Sequence, residues 1–322
     1  MSTNRLNTFN ICAIVSVLTT SLFGACCNLY LFVKFATQKN SNAFQTFCML
    51  KSLCNTIICS AFLFWVVPIT WLSLSISDVN YLFNRIVGMV AGTAAFFFNS
   101  LLNICTSGNR FFALQFPLGL KGTQRLPITA LSITVSCILV SVFSIFTLPE
   151  GCGFLYDPDL SVWRPEFSAC SDKFAIIVPY IVFATTITTN GFNCATLMCL
   201  MMSKVGGLKK KEVEKRRKKW RVMFTQSFIQ DCLQLAQIIC SYFLCKLSEA
   251  IWYRFLCMTM SFLLATTLDG LVMFICQKEF HPKFLRNKAS VSRWNAIPKL
   301  SVVYKISVRG MQQRKQSHVV SF

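Results

Sequence analysis

The sequence predicts an all-α membrane protein: a bundle of seven transmembrane helices with the N-terminus outside and the C-terminus in the cytoplasm. Three observations predict this fold class. Of the 322 residues, 54% are hydrophobic and only 14% are charged, whereas an ordinary soluble domain carries about a quarter charged residues. Seven apolar runs are each long enough to cross a hydrocarbon core of about 30 Å. Basic residues concentrate in the loops on one side of these runs, as they do in cytoplasmic loops.

The seven runs are separated by charges, prolines or polar clusters. Helices are expected because an open sheet would leave unpaired backbone groups in lipid. The fifth run is diluted by several threonines and is the least apolar. In chain order, the predicted spans are 10–33, 46–72, 86–113, 126–149, 174–202, 222–246 and 252–276. They predict a membrane domain at 10–276, preceded by a short outer segment at 1–9 and followed by a basic cytoplasmic tail at 277–322.

Orientation follows from the positive charges. With the N-terminus outside, the cytoplasmic side carries all but six of the 32 Lys and Arg residues, and Lys51 is placed at the cytoplasmic foot of the second span. The first apolar run is long enough to span the membrane, so we expect it to act as a signal anchor. These features predict a multi-pass protein of the plasma membrane.

Most of the 17 cysteines lie inside the apolar spans, where a free thiol behaves as a small hydrophobe. Cys152 and Cys170 instead bracket the outer loop after the fourth span, on the oxidising side of the membrane. They form either a disulfide that folds the loop into a lid, or two unpaired thiols at helix ends. The two histidines lie in the tail and no CxxC or HExxH motif occurs. No metal site and no cofactor are therefore expected.

The loop between the fifth and sixth spans, 204–220, is the strongest run of positive charge. It either lies against anionic lipid as a solvated loop, or also docks a cytoplasmic partner. Nucleic acid is not expected, because the run is confined between two spans and lacks the signature of a binding module. The basic residues proposed for docking are Lys209, Lys210, Lys211, Arg216 and Arg217.

Amide and charged side chains inside spans are costly and tend to face the bundle interior. In the third span Asn99, Asn103, Thr106 and Arg110 fall on one helical face. The stripe is interpreted as hydrogen bonding that holds the bundle together, or as the lining of a water path in a channel or transporter. The other predicted members of this internal network are Asn28, Asn55, Gln230, Asp231 and Asp269.

Arg110 closes the third span at its cytoplasmic end. Either its side chain extends to the membrane surface, or it acts as a switch whose guanidinium exchanges partners between two helix arrangements. An enzyme is not expected. No acid and base with suitable spacing occur, and Asp231 and Asp269 are placed at different depths.

Four segments carry a family resemblance: NRFFALQFP at 109–117; the spaced residues Cys152, Tyr156, Trp163 and Cys170; RRKKWRVMFTQSFIQD at 216–231; and LDGLVMFICQKEF at 268–280. Together they resemble the motifs of the nematode serpentine receptors of class X, a family of G protein-coupled chemoreceptors. The resemblance covers most of the chain.

The resemblance implies a receptor that binds an external small molecule within the bundle and activates a heterotrimeric G protein. Arg110 matches the arginine of the switch motif, and Asn109 stands where rhodopsin-like receptors usually carry an acid. The resemblance also favours a location in sensory neuron cilia. A ligand-gated channel or transporter, or a family member that does not signal, are the alternative functions. The candidate ligand-binding residues are Phe96, Tyr180, Gln237, Tyr242 and Thr259; for the aromatic residues among them, simple packing is the commoner alternative.

Overall fold

The computed structural model describes residues 8–38, 42–115, 125–166, 168–202 and 210–277. Within these ranges seven helices are long and apolar enough to cross a membrane, which confirms the predicted bundle of seven helices. The orientation of its termini stays a prediction. The N-terminal residues 1–7, Lys209 and the tail from 278 onward lie outside the described residues. The predicted division into three segments therefore stays a prediction.

We number the helices α1 to α7 in chain order, with two short strands, β1 and β2, between α4 and α5. The helices are Thr8–Ala36, Ala43–Trp71, 81–115, Arg125–Phe146, Ala169–Met202, Lys210–Tyr242 and Ile251–Cys276. The strands are Phe154–Asp157 and Val162–Pro165.

The largest difference from the predicted spans is at the start of α6, which begins at Lys210 rather than at 222. Part of the predicted basic loop is therefore helix. Lys, Glu and Arg lose little side-chain freedom in a helix, so a charged run of this composition favours extending it.

Three helices contain a π-helical segment: Phe62–Val66 in α2, Gly88–Ala95 in α3 and Phe255–Met260 in α7. All three lie near the end of the bundle that carries the two strands, which we call the hairpin end. The opposite end, where α7 finishes, is the tail end. A π-helical segment changes the phase of a helical face, so side-chain directions predicted from an ideal period fail locally.

The loop after α4 is a β-hairpin. β1 pairs antiparallel with β2, with Phe154 opposite Pro165. Asp157 closes the turn by accepting hydrogen bonds from the backbone N–H groups of Asp159 at 2.9 Å and Leu160 at 3.2 Å. A disulfide between Cys152 and Cys170 ties the base of the hairpin to α5. The disulfide prediction is confirmed, and the alternative of two unpaired thiols is wrong.

The hairpin contributes to the apolar core of the helices. Tyr156 is buried in a cluster at the hairpin end with side chains from α2 and α7, among them Phe62, Val66, Phe255 and Leu263. A second cluster, at the tail end, joins α1, α2 and α7 around Leu31, Phe35, Phe44 and Met273. A third, toward the hairpin end, joins α3, α5 and α6 around Phe97, Val178, Val182 and Ile238.

Helices α1 and α7 approach closely at Gly270. A Cβ atom at this position would collide with the side-chain amide of Asn28. The glycine therefore lets the buried amide of α1 reach the neighbourhood of Asp269, the next polar residue of α7.

Candidate functional site

The centre of the bundle holds a buried ion pair between α2 and α7. The Nζ atom of Lys51 lies 2.7 Å from Oδ1 of Asp269, and both side chains are less than a tenth exposed. The prediction that Lys51 lies at the foot of its helix is wrong. Lys51 is eight residues beyond the start of α2, or about 12 Å along the helix, and Asp269 supplies the counter-charge that burial requires.

An amide network surrounds this ion pair. Asn55 donates through Nδ2 to Oδ2 of Asp269 at 2.7 Å and to Oδ1 of Asn28 at 3.2 Å. Asn99 of α3 donates to Oδ1 of Asn55 at 2.9 Å. The structure therefore joins four of the predicted network residues, from α1, α2, α3 and α7.

A second group of amides connects α3 to α6. Asn103 donates to Oε1 of Gln234 at 2.7 Å, and Gln234 donates to the hydroxyl of Ser100 at 2.7 Å. Gln230 reaches the backbone carbonyl of Asp269 at 3.4 Å. Thr106 instead donates to the carbonyl of Leu102 in its own helix.

Arg110 is buried near the tail end, between α2, α3 and α6. Nη1 donates to the hydroxyl of Ser227 on α6, and the guanidinium lies 4.6 Å from the centre of the Phe44 ring on α2. Only 3% of the residue is exposed. The alternative in which Arg110 extends to the membrane surface is therefore wrong, while the adjacent Asn109 is only half-buried.

Asp231 is the second buried carboxylate. Its Oδ2 accepts a hydrogen bond of 2.5 Å from Asn193 of α5. Lys51 and Arg110 are the cations, and Asp269 the anion, that interact with it electrostatically. Lys51 is thus near both carboxylates, while the prediction that they lie at different depths stays a prediction. The two buried cations, Lys51 and Arg110, balance the charge of the two buried anions, Asp231 and Asp269.

Asn193 and Lys51 were not among the predicted site residues, although the sequence carries a signal for each. Thr185, Thr189, Asn193 and Thr196 repeat at offsets of four, four and three, which is the same one-face pattern that identifies the stripe of α3. All four are buried. Lys51 is a single lysine inside an apolar helix, one turn before Asn55, and such residues are usually paired.

A cavity of about 30 Å³, the central cavity, lies between α3, α6 and α7. The Lys51–Asp269 pair forms part of its wall. A smaller cavity of about 10 Å³ lies beside Arg110's partner Ser227 and Asp231. Among the lining residues of the central cavity are Phe96, Asn99, Gln234, Gln237, Phe262 and Thr266.

The five candidate ligand-binding residues separate into four groups. Phe96 and Gln237 line the central cavity. Tyr242 packs against the third apolar cluster. The placement of Tyr180 inside the bundle is wrong: it is 73% exposed, because it lies two residues from the buried Val178 and so on the opposite helical face.

Thr259 also has a different role from the one predicted. Its hydroxyl donates to the backbone carbonyl of Ser161 at 2.7 Å, so it holds the hairpin rather than facing the central cavity. It lies in the π-helical segment of α7, where an ideal helical period gives the wrong direction.

The side-chain amide of Asn84 on α3 binds the backbone of the hairpin at Tyr156. It donates to the carbonyl of Tyr156 at 2.8 Å and accepts from the N–H of Tyr156 at 3.1 Å. The Tyr156 hydroxyl meets that of Thr70 of α2 at 3.0 Å. Burial raises the pKa of Tyr156 to about 12, so the phenol stays protonated. The hairpin is thus fixed to α2, α3 and α7 by hydrogen bonds and to α5 by the disulfide.

The helix α3 approaches β1 closely at Gly88, and this gives a test of how tightly the hairpin is seated. A Cβ atom there would collide with the backbone carbonyl of Phe154, whereas one at Gly92 would meet nothing within 4 Å. We expect Gly88→Ala to reduce the free energy of unfolding by about 1–3 kcal/mol, since a backbone carbonyl cannot yield as a side chain can.

Gly92→Ala, in the same π-helical segment, is the control. It should be neutral or stabilising by up to about 1 kcal/mol, because alanine loses less backbone freedom on folding. Thermal unfolding of the purified protein compares them. Equal midpoints for the two variants would mean that the hairpin is not seated against α3 as described.

Of the predicted basic residues, Lys210, Lys211, Arg216 and Arg217 lie in the first turns of α6. Lys209 lies outside the described residues. These turns extend α6 beyond its apolar part, which begins at Val222.

Comparison with known proteins agrees with this architecture. The fold is similar to that of squid rhodopsin, in a crystal structure that matches with a TM-score of 0.70 and 10% sequence identity over 84% of this chain and 83% of that chain. No curated protein sequence matches the chain. The family model described as the serpentine type 7TM GPCR chemoreceptor Srx matches residues 18–277. With seven membrane-spanning helices, a rhodopsin-like fold and a match over most of its length, the chain belongs to the Srx family of serpentine 7TM GPCR chemoreceptors.

Proposed function

We propose that this protein binds an external small molecule within its helix bundle and activates a heterotrimeric G protein. The observation that carries the proposal is the position of Arg110. It is buried where α2, α3 and α6 meet, and its Nε and Nη2 atoms have no hydrogen-bond partner among the described residues. A buried cation with unused donors favours a second arrangement in which they are satisfied.

Asp231 is the partner that we propose for that second arrangement. Ser227, which Arg110 contacts, lies one turn from Asp231 on α6. A small displacement of α6 would exchange a hydroxyl for a carboxylate, which binds a guanidinium more strongly. Asp231 would thus supply, from α6, the acid that Asn109 does not supply within α3. A ligand that prefers one arrangement shifts the population toward it.

We propose further that the hairpin end faces the outside and that α6 starts in the cytoplasm. The Cys152–Cys170 disulfide supports this orientation, because such bonds persist in oxidising compartments. The basic start of α6 would then lie beside anionic lipid, and Lys210, Lys211, Arg216 and Arg217, together with Lys209, would meet the G protein. The location is the plasma membrane and, by family membership, the cilia of sensory neurons.

The test is a chemical panel applied to cells that express the full chain with an N-terminal epitope tag. We expect the tag to be stained on intact cells and at least one compound to cause G protein dissociation. Whole-cell current recorded in parallel identifies a channel. A compound-dependent current that persists when the G proteins are inactivated would contradict the proposal. So would an epitope tag that is stained only after the cells are permeabilised.

A further inference from the structure

The wall of the central cavity carries no unbalanced charge. Its two ionised residues, Lys51 and Asp269, pair with each other at 2.7 Å. The remaining polar side chains are amides and hydroxyls. Beside them the rings of Phe96 and Phe262 pack edge to face, with their centroids 5.4 Å apart. A charged ligand would lose its hydration here without gaining a counter-charge.

The hydrogen bonds around the cavity have a fixed direction. An ionised carboxylate is an acceptor only, so the amide of Asn55 must turn its NH₂ group toward Asp269. This leaves Oδ1 of Asn55 as an acceptor, and Asn99 must therefore turn its own NH₂ group toward it. The charge on Asp269 thus sets the orientation of the Asn99 amide, which is two hydrogen bonds away.

The consequence falls on Asn99. Its Oδ1 atom is buried and has no donor in the part of the chain that the structure describes. Gln237, on the facing helix α6, also has a buried Oε1 without a described donor, while its Nε2 atom donates to Ser241 at 3.3 Å. A buried acceptor without a partner is unfavourable, because it has lost its hydrogen bond to water without gaining another. Both residues line the same cavity.

We propose that the central cavity binds an uncharged small molecule through a hydroxyl or N–H group donated to Asn99, with Gln237 as the second acceptor. This deepens the proposed function by giving the chemical class of its ligand. About 30 Å³ holds roughly two water-sized groups, so the donor group occupies the existing space. The apolar remainder of the ligand separates the rings of Phe96 and Phe262.

The same geometry links the ligand to the ion pair. A donor on Asn99 Oδ1 extends the chain of hydrogen bonds that runs through Asn55 to Asp269 and Lys51. Successive bonds in such a chain polarise one another. Occupancy of the cavity therefore strengthens the contacts that connect α2, α3 and α7.

The test uses two isomeric probes that differ in one property. 1-Butanol can donate a hydrogen bond, whereas methyl propyl ether has the same formula and can only accept; butylammonium is the charged probe. Thermal unfolding of the purified full chain is measured as each probe is titrated. We expect 1-butanol to raise the unfolding midpoint at concentrations at least tenfold lower than either of the other two.

Asn99→Leu and Gln237→Met should each weaken the effect of 1-butanol at least tenfold. Gln237→Met is the variant that leaves the Asp269 network intact. Asn190→Leu is the matched control, because Asn190 donates to the carbonyl of Thr186 in its own helix and does not line the cavity. It should respond to 1-butanol as the unmodified chain does.

Equal effects of 1-butanol and its isomeric ether, no effect of 1-butanol, or an undiminished effect in Gln237→Met would each overturn the proposal. The assay contains no G protein. A chain that responds to 1-butanol in this way and yet activates no G protein would retain the ligand class and lose the proposed function.

Discussion

Replacing Lys51 by methionine is expected to lower the free energy of unfolding by about 3–5 kcal/mol, because the change leaves a buried carboxylate without its cation. Lys51 and Asp269 lie in contact inside the bundle, and each side chain is less than a tenth exposed, so bulk solvent compensates little of the remaining charge. The balance of the four buried charges is also lost, since Asp231 then retains only Arg110 as a cation. The thermal unfolding midpoint of the purified protein measures the effect.

Two further variants make this result specific. Lys246→Met removes an exposed lysine at the hairpin end and should change the midpoint little. Lys51→Met combined with Asp269→Asn removes the orphaned charge and should recover most of the loss, because one buried cation and one buried anion remain. If Lys51→Met unfolds at the same temperature as the unmodified chain, the buried ion pair does not exist as described.

Removal of the disulfide by Cys152→Ser should cost about 3 kcal/mol, the value expected for a closed loop of this length. The two cysteines are 18 positions apart and enclose the whole hairpin. Without the bond, the hairpin remains attached through Asn84, Tyr156 and Thr259, but its base is released from α5. A lower unfolding midpoint under non-reducing conditions is therefore expected.

Cys26→Ser is the matched control, because Cys26 is a free and exposed cysteine of α1. Its midpoint should equal that of the unmodified chain. Treatment with a reducing agent should lower the midpoint of the unmodified chain to that of Cys152→Ser, and should leave Cys152→Ser unchanged. A Cys152→Ser variant as stable as the Cys26→Ser control would show that the hairpin does not need the bond.

The seven spans were predictable because each depends on a local property, a run of apolar residues long enough to cross a membrane. The stripe of α3 was predictable for the same reason, since Asn99, Asn103 and Arg110 reveal one face of a single helix. The loop cysteines were predictable from their compartment. In each case the information lies within about twenty consecutive residues or in the side of the membrane on which a loop falls.

The partners of these residues could not be predicted, because they lie on helices far apart in the chain. Lys51 was predicted to lie at a helix boundary, because its partner Asp269 is on α7, far away in the sequence. Periodicity gives the direction of a side chain but not the depth at which two helices are aligned, so the hydrogen bond between Asn193 and Asp231 was missed. The predicted direction of the Thr259 side chain was wrong for another reason, because a π-helical segment changes the phase of that helical face.

The hairpin lies between these cases. Asp157 precedes a Pro-Asp pair, which is typical of a turn, and short runs rich in aromatic and β-branched residues flank it. The strands could therefore have been predicted from the sequence. The burial of Tyr156 among side chains of α2 and α7 could not, because it depends on where the loop folds back onto the bundle.

The most direct measurement compares G protein activation by Arg110→Ala and Arg254→Ala at equal amounts of protein on the cell surface. Arg254 is a partly exposed arginine of α7 whose nearest acid, Glu249, is almost fully exposed, so its loss controls for removal of a positive charge. With an activating compound from the chemical panel, we expect Arg254→Ala to signal normally and Arg110→Ala to lose the response. Normal signalling by Arg110→Ala would contradict the role of this arginine as the switch.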